Sequence, residues 1–309
     1  MNLPAHSLAK TIERRDVDAT VFQQEILPAN RPVIFRGLID SWPAVQQGKK
    51  SPQDACEYLL QFYRGKAVPL LIGDPASKRH IFYEDGMTGL NFERRPASLA
   101  DSLSLLLNHV DNADAPAIYM EALPLPDCLP HFTDAHALAL LGGAVIPNIW
   151  IGNAVKVQTH FDLARNMACV VAGKRRFTLF PPEQLPNLYI GPLDFTPGGT
   201  PLSMVPLDNP DFDASRGFDR RWRAHKSPTW RPGTPCISRT PGGITSSRSR
   251  ASTSSSTIGG TKASRRRSPT TRCSTPCWRS ASCRPTSGRS GKACSSTSSS
   301  RRTGSRWVI

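Results

Sequence analysis

Acidic side chains are nearly absent from the C-terminal part of this 309-residue chain: residues 214–309 contain one, Asp219, against 21 Lys and Arg. Residues 1–213 carry 23 acidic and 18 basic groups, so the net charge of +15 averages a mildly acidic body with an extremely basic tail. An electrostatic footprint for nucleic acid can therefore be read only from the tail. Long apolar runs are also missing. Even Ala135 to Ile146 is far below the roughly 20 residues of a spanning helix and contains two glycines, which excludes a membrane span. The N-terminus lacks the basic, apolar, small-residue progression of a signal peptide. The body has three cysteines, Cys56, Cys128 and Cys169, with no Cys-x-x-Cys pair and no ligand spacing. That argues against a disulfide framework or a zinc ribbon, and a reducing cytoplasm is the expected compartment.

What is present in residues 1–213 reads as strands with N-terminal helices. Asp18 to Leu27 suggests a short helix and Arg31 to Gly37 a buried strand, with Trp42 as a packing anchor. Ser51, Pro52 and Asp54 form a helix start before Ala55 to Tyr63. Val68 to Gly73 reads as a strand, Phe82 to Phe92 as a structured connection, and Pro116 to Met120 as another strand. Ser98 caps a helix whose Leu99, Leu103, Leu106, Leu107 and Val110 recur at helical spacing, which marks a core-facing stripe. Ala135 to Leu141 suggests one more short helix. His6, His80, His109, His131 and His136 are scattered singly. Asp134 and His136 are two apart in that last helix, where their side chains diverge, so they are not read as ligands.

The stretch from Asn148 to Pro182 is different. In an extended strand alternate side chains share a face, so His160 and Asp162 point one way and Phe161 the other. An imidazole and a carboxylate side by side are two of the three ligands of a 2-His-1-carboxylate facial triad for non-heme Fe(II). A His-x-Asp alone also describes an ordinary exposed edge strand. Met167 to Ala172 then reads as a buried strand, Gly173 and Lys174 as a tight turn, and Arg175 to Phe180 as the returning strand of a hairpin. Arg175, Phe177 and Leu179 share one face of it, where a guanidinium could clamp a carboxylate.

His-Phe-Asp, Asn166, an apolar strand and then GKRRFTLFPP resemble the Jumonji C and cupin-like Fe(II) and 2-oxoglutarate dependent oxygenases, particularly their asparaginyl hydroxylase branch. The resemblance implies a double-stranded β-helix in which His160 and Asp162 bind iron. It implies that Asn166 lies beside the 2-oxoglutarate co-substrate, that Arg175 pairs with its far carboxylate, and that Tyr119 in AIYMEAL also reaches it. The family often has a Thr three residues before the His, and this chain has Val157; Thr159 is the candidate substitute. LDNPDF (residues 207–212) resembles the segment that precedes the last ligand strand, and there the resemblance stops.

From Ala214 onward the chain contains 23 Ser and 18 Arg with almost no aliphatic periodicity. Such a segment buries too little apolar surface to offset its ordering entropy, so a disordered Arg/Ser-rich tail over 214–309 is expected after an incomplete barrel domain over 1–213. One reading is a tail that binds nucleic acid nonspecifically through phosphate contacts. The other is a GC-rich gene read out of frame from near Asp213 or Ala214. Joining the third base of each codon to the first two of the next lets Gly242 to Thr245 encode Trp-Trp-His-His. The same operation lets Thr257 to Thr261 encode Asn-Tyr-Trp-Trp-Asn, and Gly233 to Ser246 be read as GDALYIPYPWWHHV.

The expected protein is thus mainly β with N-terminal helices, a truncated double-stranded β-helix. By resemblance it is an oxygenase using Fe(II) and 2-oxoglutarate, inactive as written because the second iron His is lost. A non-catalytic cupin-like binding protein and a nucleic-acid-binding protein are the competing readings. The substrate class stays open between a protein side chain and a small molecule, as does oligomeric state. Missing closing strands would leave sheet edges unpaired and the chain prone to aggregate.

Overall fold

Two serines and an aspartate start the helices as the sequence implies. In the computed structural model the described residues are 11–141, 145–162 and 165–207, together with the backbone of 229–230, 232, 234–238, 244–247 and 257–259. Asp18 caps α1 (Ala19–Val21), which runs through a π-helical turn at Phe22–Ile26 into α2 (Leu27–Ala29). Pro28 has no N–H to continue an α-ladder, which is consistent with the irregular winding. Ser51 ends α3 (Pro43–Lys50) and begins α4 (Pro52–Leu60), where its Oγ accepts the Asp54 N–H at 3.0 Å. Ser98 caps α5 (Leu99–Asn108) in the same way, at 2.9 Å from the Asp101 N–H. Leu99, Leu103 and Leu106 are buried as the periodicity predicts. A one-turn α6 (Leu125–Cys128) follows later.

The strands are β1 (Ile12–Arg14), β2 (Val33–Phe35), β3 (Val68–Gly73), β4 (His80–Ile81), β5 (Phe92–Ala97), β6 (Ile118–Pro124), β7 (Asn148–Gly152), β8 (Lys156–His160), β9 (Asn166–Val170), β10 (Arg175–Leu179), β11 (Thr229–Trp230), β12 (Thr234–Ser238), β13 (Ile244–Ser247) and β14 (Thr257–Gly259). They form sheets of order β1-β2-β12-β9, β11-β10-β13-β8-β4 and β14-β7-β6-β3-β5. β7 to β10 lead outward, and the later strands pair back on them antiparallel in reverse order: β14 on β7, β13 on β8, β12 on β9 and β11 on β10. A long hairpin wound on itself in this way is a double-stranded β-helix.

This topology corrects the local hairpin reading. Gly173, at φ +71°, does turn the chain after β9, but β10 pairs with β11 and β13 while β9 pairs with β12, which pairs in turn with β2. The turn therefore crosses between two sheets. Most of the expected disordered tail, and LDNPDF beyond Leu207, lie outside the described residues. Where the tail is described, its backbone occupies the strand positions that the sequence reading left empty.

Two of the hydrophobic clusters lie on opposite faces of the β6 sheet. On β6, Ile118 and Met120 belong to the large core with Phe35, Leu59, Leu103 and Met167, which the helices cover. The alternate residues Ala117 and Tyr119 face a smaller cluster with Leu71, Ile81 and Val155, flanked by Phe92, Trp150 and Val157. This second face is the barrel interior.

The expected helix at Ala135 to Leu141 is instead two 3₁₀ turns, Phe132–Ala135 and Ala139–Leu141. His136 separates them, because its ring is committed to the core. It stacks on Phe132 at 4.0 Å and meets Trp42 edge-on at 5.5 Å. Its Nε2 accepts the Ala44 N–H at 3.1 Å, one of the donors that the start of α3 leaves unsatisfied. Nδ1 therefore carries the proton and donates to Phe132 O at 2.5 Å. Asp134 turns away and pairs with His131.

Burial pushes His136 below its ordinary 6.5, against the opposing pull of the Phe132 carbonyl. The unfolded chain therefore takes up this proton first. The stability contribution is full above the unfolded pKa and is lost as pH falls toward the lowered folded value. Melting curves between about pH 8 and 5 should show Tm falling with acid, and His136→Phe should flatten that fall while lowering Tm at pH 8. An unchanged acid slope in the variant would contradict this assignment.

Candidate co-substrate and metal site

Strict alternation would put His160 on the opposite face of β8 from Val157. The register against β13 shows otherwise: Ser246 lies opposite Val157 and Ile244 opposite His160. Three steps on β8 match two on β13, which is a β-bulge at Gln158 and Thr159. The bulge returns His160 to the face of Val157, and Val157 packs against the interior cluster that contains Tyr119. Gln158, 5% exposed, anchors the bulge: its Nε2 donates to Ser203 O at 2.7 Å and Val205 O at 2.8 Å, so its Oε1 accepts from His80 Nε2 at 3.0 Å. Thr159 is fully buried beside it and accepts the Ser203 N–H at its carbonyl. Val157 thus supplies an apolar contact where the resemblance would place a hydroxyl.

Within the bulge Gln158 O accepts from His160 Nδ1 at 2.8 Å. A carbonyl is only an acceptor, so Nδ1 bears the hydrogen and the lone pair lies on Nε2, the tautomer a metal-binding imidazole uses. Asp162 follows β8 and is 6% exposed. Asn166, the first residue of β9, donates Nδ2 to Asp162 Oδ2 and fixes the carboxylate plane. The Oδ1 of Asn166 is buried without a hydrogen-bond partner among the described residues, which marks a place where a polar group is needed.

Tyr119 on β6 is 5% exposed and lies opposite Gly152 of β7. Burial pushes its phenol up to about 12, Glu121 adds to this, and the Arg175 guanidinium, which hydrogen-bonds the phenol, pulls it partly back. The phenol is protonated at neutral pH. With Arg175 donating to Oη, the hydroxyl hydrogen can be given to an incoming acceptor. Arg175 also lies 5.6 Å from the Phe177 ring, so its plane is held from two directions. The structure brings together the predicted pair Arg175 and Tyr119, and separately the pair Asp162 and Asn166.

Two features escaped sequence reading. β6 carries its own bulge after Met120, with Ala122 at φ +53°. Glu121 there receives Arg94 from β5 at 2.5 Å, and Arg94 also donates to Pro197 O at 3.2 Å. The only available signal was that Tyr119 and Glu121 are two apart on one strand. The β8 bulge was foreshadowed by the three-residue offset between Val157 and His160, which period-2 alternation cannot place on one face.

The donor set decides what the site can hold. Arg175 and Tyr119 offer a half-buried cation and a buried phenol, a fit for one carboxylate of a dicarboxylate. His160 and Asp162 offer two donors for a metal. Among the described residues no three His, Cys, Asp or Glu side chains converge. The described residues therefore do not complete a three-ligand iron site. The cysteines do not help, since Cys56 and Cys128 are buried thiols pushed up to about 11 and about 12 by desolvation. No helix among the described residues is long and apolar enough to cross a membrane.

Comparison with known proteins gives a family match over residues 19–228, described as a cupin-like domain. The chain is 27% identical over 194 residues to Jumonji C domain-containing protein 5 of Drosophila melanogaster, covering 60% of this chain and 45% of that protein. It is 25% identical over 241 residues to lysine-specific demethylase JMJ31 of Arabidopsis thaliana, covering 66% and 41%. It is 28% identical over 179 residues to the human bifunctional peptidase and (3S)-lysyl hydroxylase JMJD7, covering 53% and 52%. The chain spans about half the length of the curated relatives it matches.

Proposed function

This chain belongs to the cupin-like domain family, and we propose on that premise that it is built on the plan of a Jumonji C type 2-oxoglutarate dependent hydroxylase whose metal site is incomplete. Arg175 and Tyr119 would receive the far carboxylate of 2-oxoglutarate inside the barrel. His160 and Asp162 would be two of the ligands for Fe(II), which supplies oxygen activation when bound. The observation that carries the reading is the β8 bulge, which sets His160 on the same interior face as Tyr119 and its partner Arg175.

The protein's own residues divide the work. Asn166 orients Asp162 through its amide, and Gln158 selects the His160 tautomer. Arg175 neutralises an incoming carboxylate, Tyr119 gives it a hydrogen bond, and the apolar cluster around Leu71 and Val157 keeps water from competing. The names of the relatives, a lysine demethylase and a (3S)-lysyl hydroxylase, favour a C–H bond of a lysyl side chain or of its N-methyl group as the target class.

The incomplete donor set favours a second outcome for the chain as written: binding without turnover. Isothermal titration calorimetry should detect 2-oxoglutarate, while succinate release with added Fe(II) stays at background. Turnover at rates ordinary for enzymes, roughly 1 per second or faster, would show that two protein ligands suffice and would sink the defect part of this reading. Absence of any 2-oxoglutarate binding would sink the co-substrate part.

A further inference from the structure

The disagreement between the fold and the donor set has a location. Position 244 lies directly opposite His160 across the β8–β13 pair, and beyond the bulge Ser246 lies opposite Val157. Directly opposed residues on antiparallel strands share a face, with Cβ atoms about 4.5–5.5 Å apart. Position 244 therefore belongs to the interior face that holds His160. Two imidazoles at such a spacing can converge on one metal about 2.0–2.1 Å from each nitrogen. The residue written there is Ile244, which has no donor atom.

The same position is marked independently by the coding arithmetic. The out-of-frame histidine codons fall on the junctions between Gly243 and Ile244 and between Ile244 and Thr245. They overlap codon 244 from both sides. Consecutive residues on a strand face opposite ways, so one of the two imidazoles would enter the barrel whichever codon takes the central place. Nothing in the base arithmetic knows the strand register, and nothing in the register knows the codons.

The written residues also fit their strands poorly. β12 lies between β2 and β9, yet it contains Pro235 opposite Cys169. Proline has no N–H for the ladder and is a poor choice in a strand with neighbours on both sides. In the shifted frame this segment reads as part of GDALYIPYPWWHHV, with alternating Ala, Tyr and Leu, Ile positions ahead of its prolines. The family match ends at residue 228, before β12 begins.

We propose that position 244 is the third corner of the metal site, and that Ile244 stands there because the coding sequence across β12 and β13 is displaced by one base. This inference rests on the oxygenase-plan reading and names the ligand position which that plan lacks here.

The test uses Co(II) alone as probe, followed by its visible absorption and by calorimetry, with Ile244→His placed in the full chain as written. Co(II) affinity should rise at least about 10- to 100-fold, the range commanded even by partners outside the ligand shell, and the gain should vanish when His160→Ala is added. Thr245→His, on the opposite face, should give no gain. A folded Ile244→His chain that still binds 2-oxoglutarate but gains no Co(II) affinity would overturn the placement, as would an equal gain from Thr245→His. If Ile244→His does not fold, the chain expressed from the frame-restored gene carries the same Co(II) assay, and no His160-dependent gain there overturns the placement. Resequencing the source gene across codons 205–250 tests the origin: a missing or extra base supports it, and an intact frame overturns it. Loss of Arg175-dependent 2-oxoglutarate binding would instead indict the parent reading, so the two failures are separable.

Discussion

Arg175→Met is expected to weaken 2-oxoglutarate binding by about 30- to 5,000-fold in calorimetry, the largest single effect on ligand affinity in this protein. The range follows from the cost of truncating one partner of a buried, hydrogen-bonded charge pair, about 2–5 kcal/mol. The guanidinium sits at the start of β10, held by its bond to the Tyr119 phenol and by the Phe177 ring, so little freedom is lost when a carboxylate arrives. Met preserves most of the apolar stem and removes the charge, which separates electrostatics from packing. Arg175→Lys should recover part of the affinity through charge alone, since a single ammonium cannot reproduce the planar fork. Tyr119→Phe removes one neutral hydrogen bond, about 0.5–1.5 kcal/mol, and should cost less than Arg175→Met. If Arg175→Met and wild type bind 2-oxoglutarate equally, the carboxylate pocket is elsewhere.

Much of the helical layer was legible in the sequence because its signals are local. Ser51 and Ser98 declare helix starts within three residues of the donors they cap, and the Leu99, Leu103, Leu106 spacing declares a buried stripe. His160 and Asp162 stand out in the sequence for the same reason, as an imidazole and a carboxylate two residues apart. What sequence could not supply were features set by partners far along the chain. The turn at Gly173 looks like a hairpin locally, and only the return of β11, β12 and β13 from residues 229–247 shows that β9 and β10 enter different sheets. The bulge at Gln158 exists because its amide is claimed by Ser203, Val205 and His80, none of them near it in sequence. His136 failed to be helical because Ala44, 92 residues earlier, needs its Nε2. In each case a tertiary hydrogen bond overrode a local tendency.

Gly152→Ala should produce a large loss of stability, and should take co-substrate binding with it. A Cβ built at Gly152 would lie 2.7 Å from Tyr119 Cδ2 and 2.8 Å from Ile118 O. One contact is with a ring and the other is with backbone, so rotating a single side chain cannot relieve both. Either the Tyr119 ring leaves its place or β6 and β7 separate where Tyr119 lies opposite Gly152. Overpacking of this kind costs about 1–3 kcal/mol, and the backbone contact places the change at the upper end. In a barrel that depends on β7 to start its winding, that cost should appear as a lower Tm and a lower denaturant midpoint with unchanged m. The functional loss should exceed what lowered stability explains, because Tyr119 and Arg175 form one hydrogen-bonded unit. Measured well below its Tm, the variant should bind 2-oxoglutarate at least about 20-fold more weakly, more than deletion of the Tyr119 hydroxyl alone predicts. A stable Gly152→Ala protein with full affinity would mean that β6 and β7 have room to spare, and that the close seat of Tyr119 is not what positions Arg175.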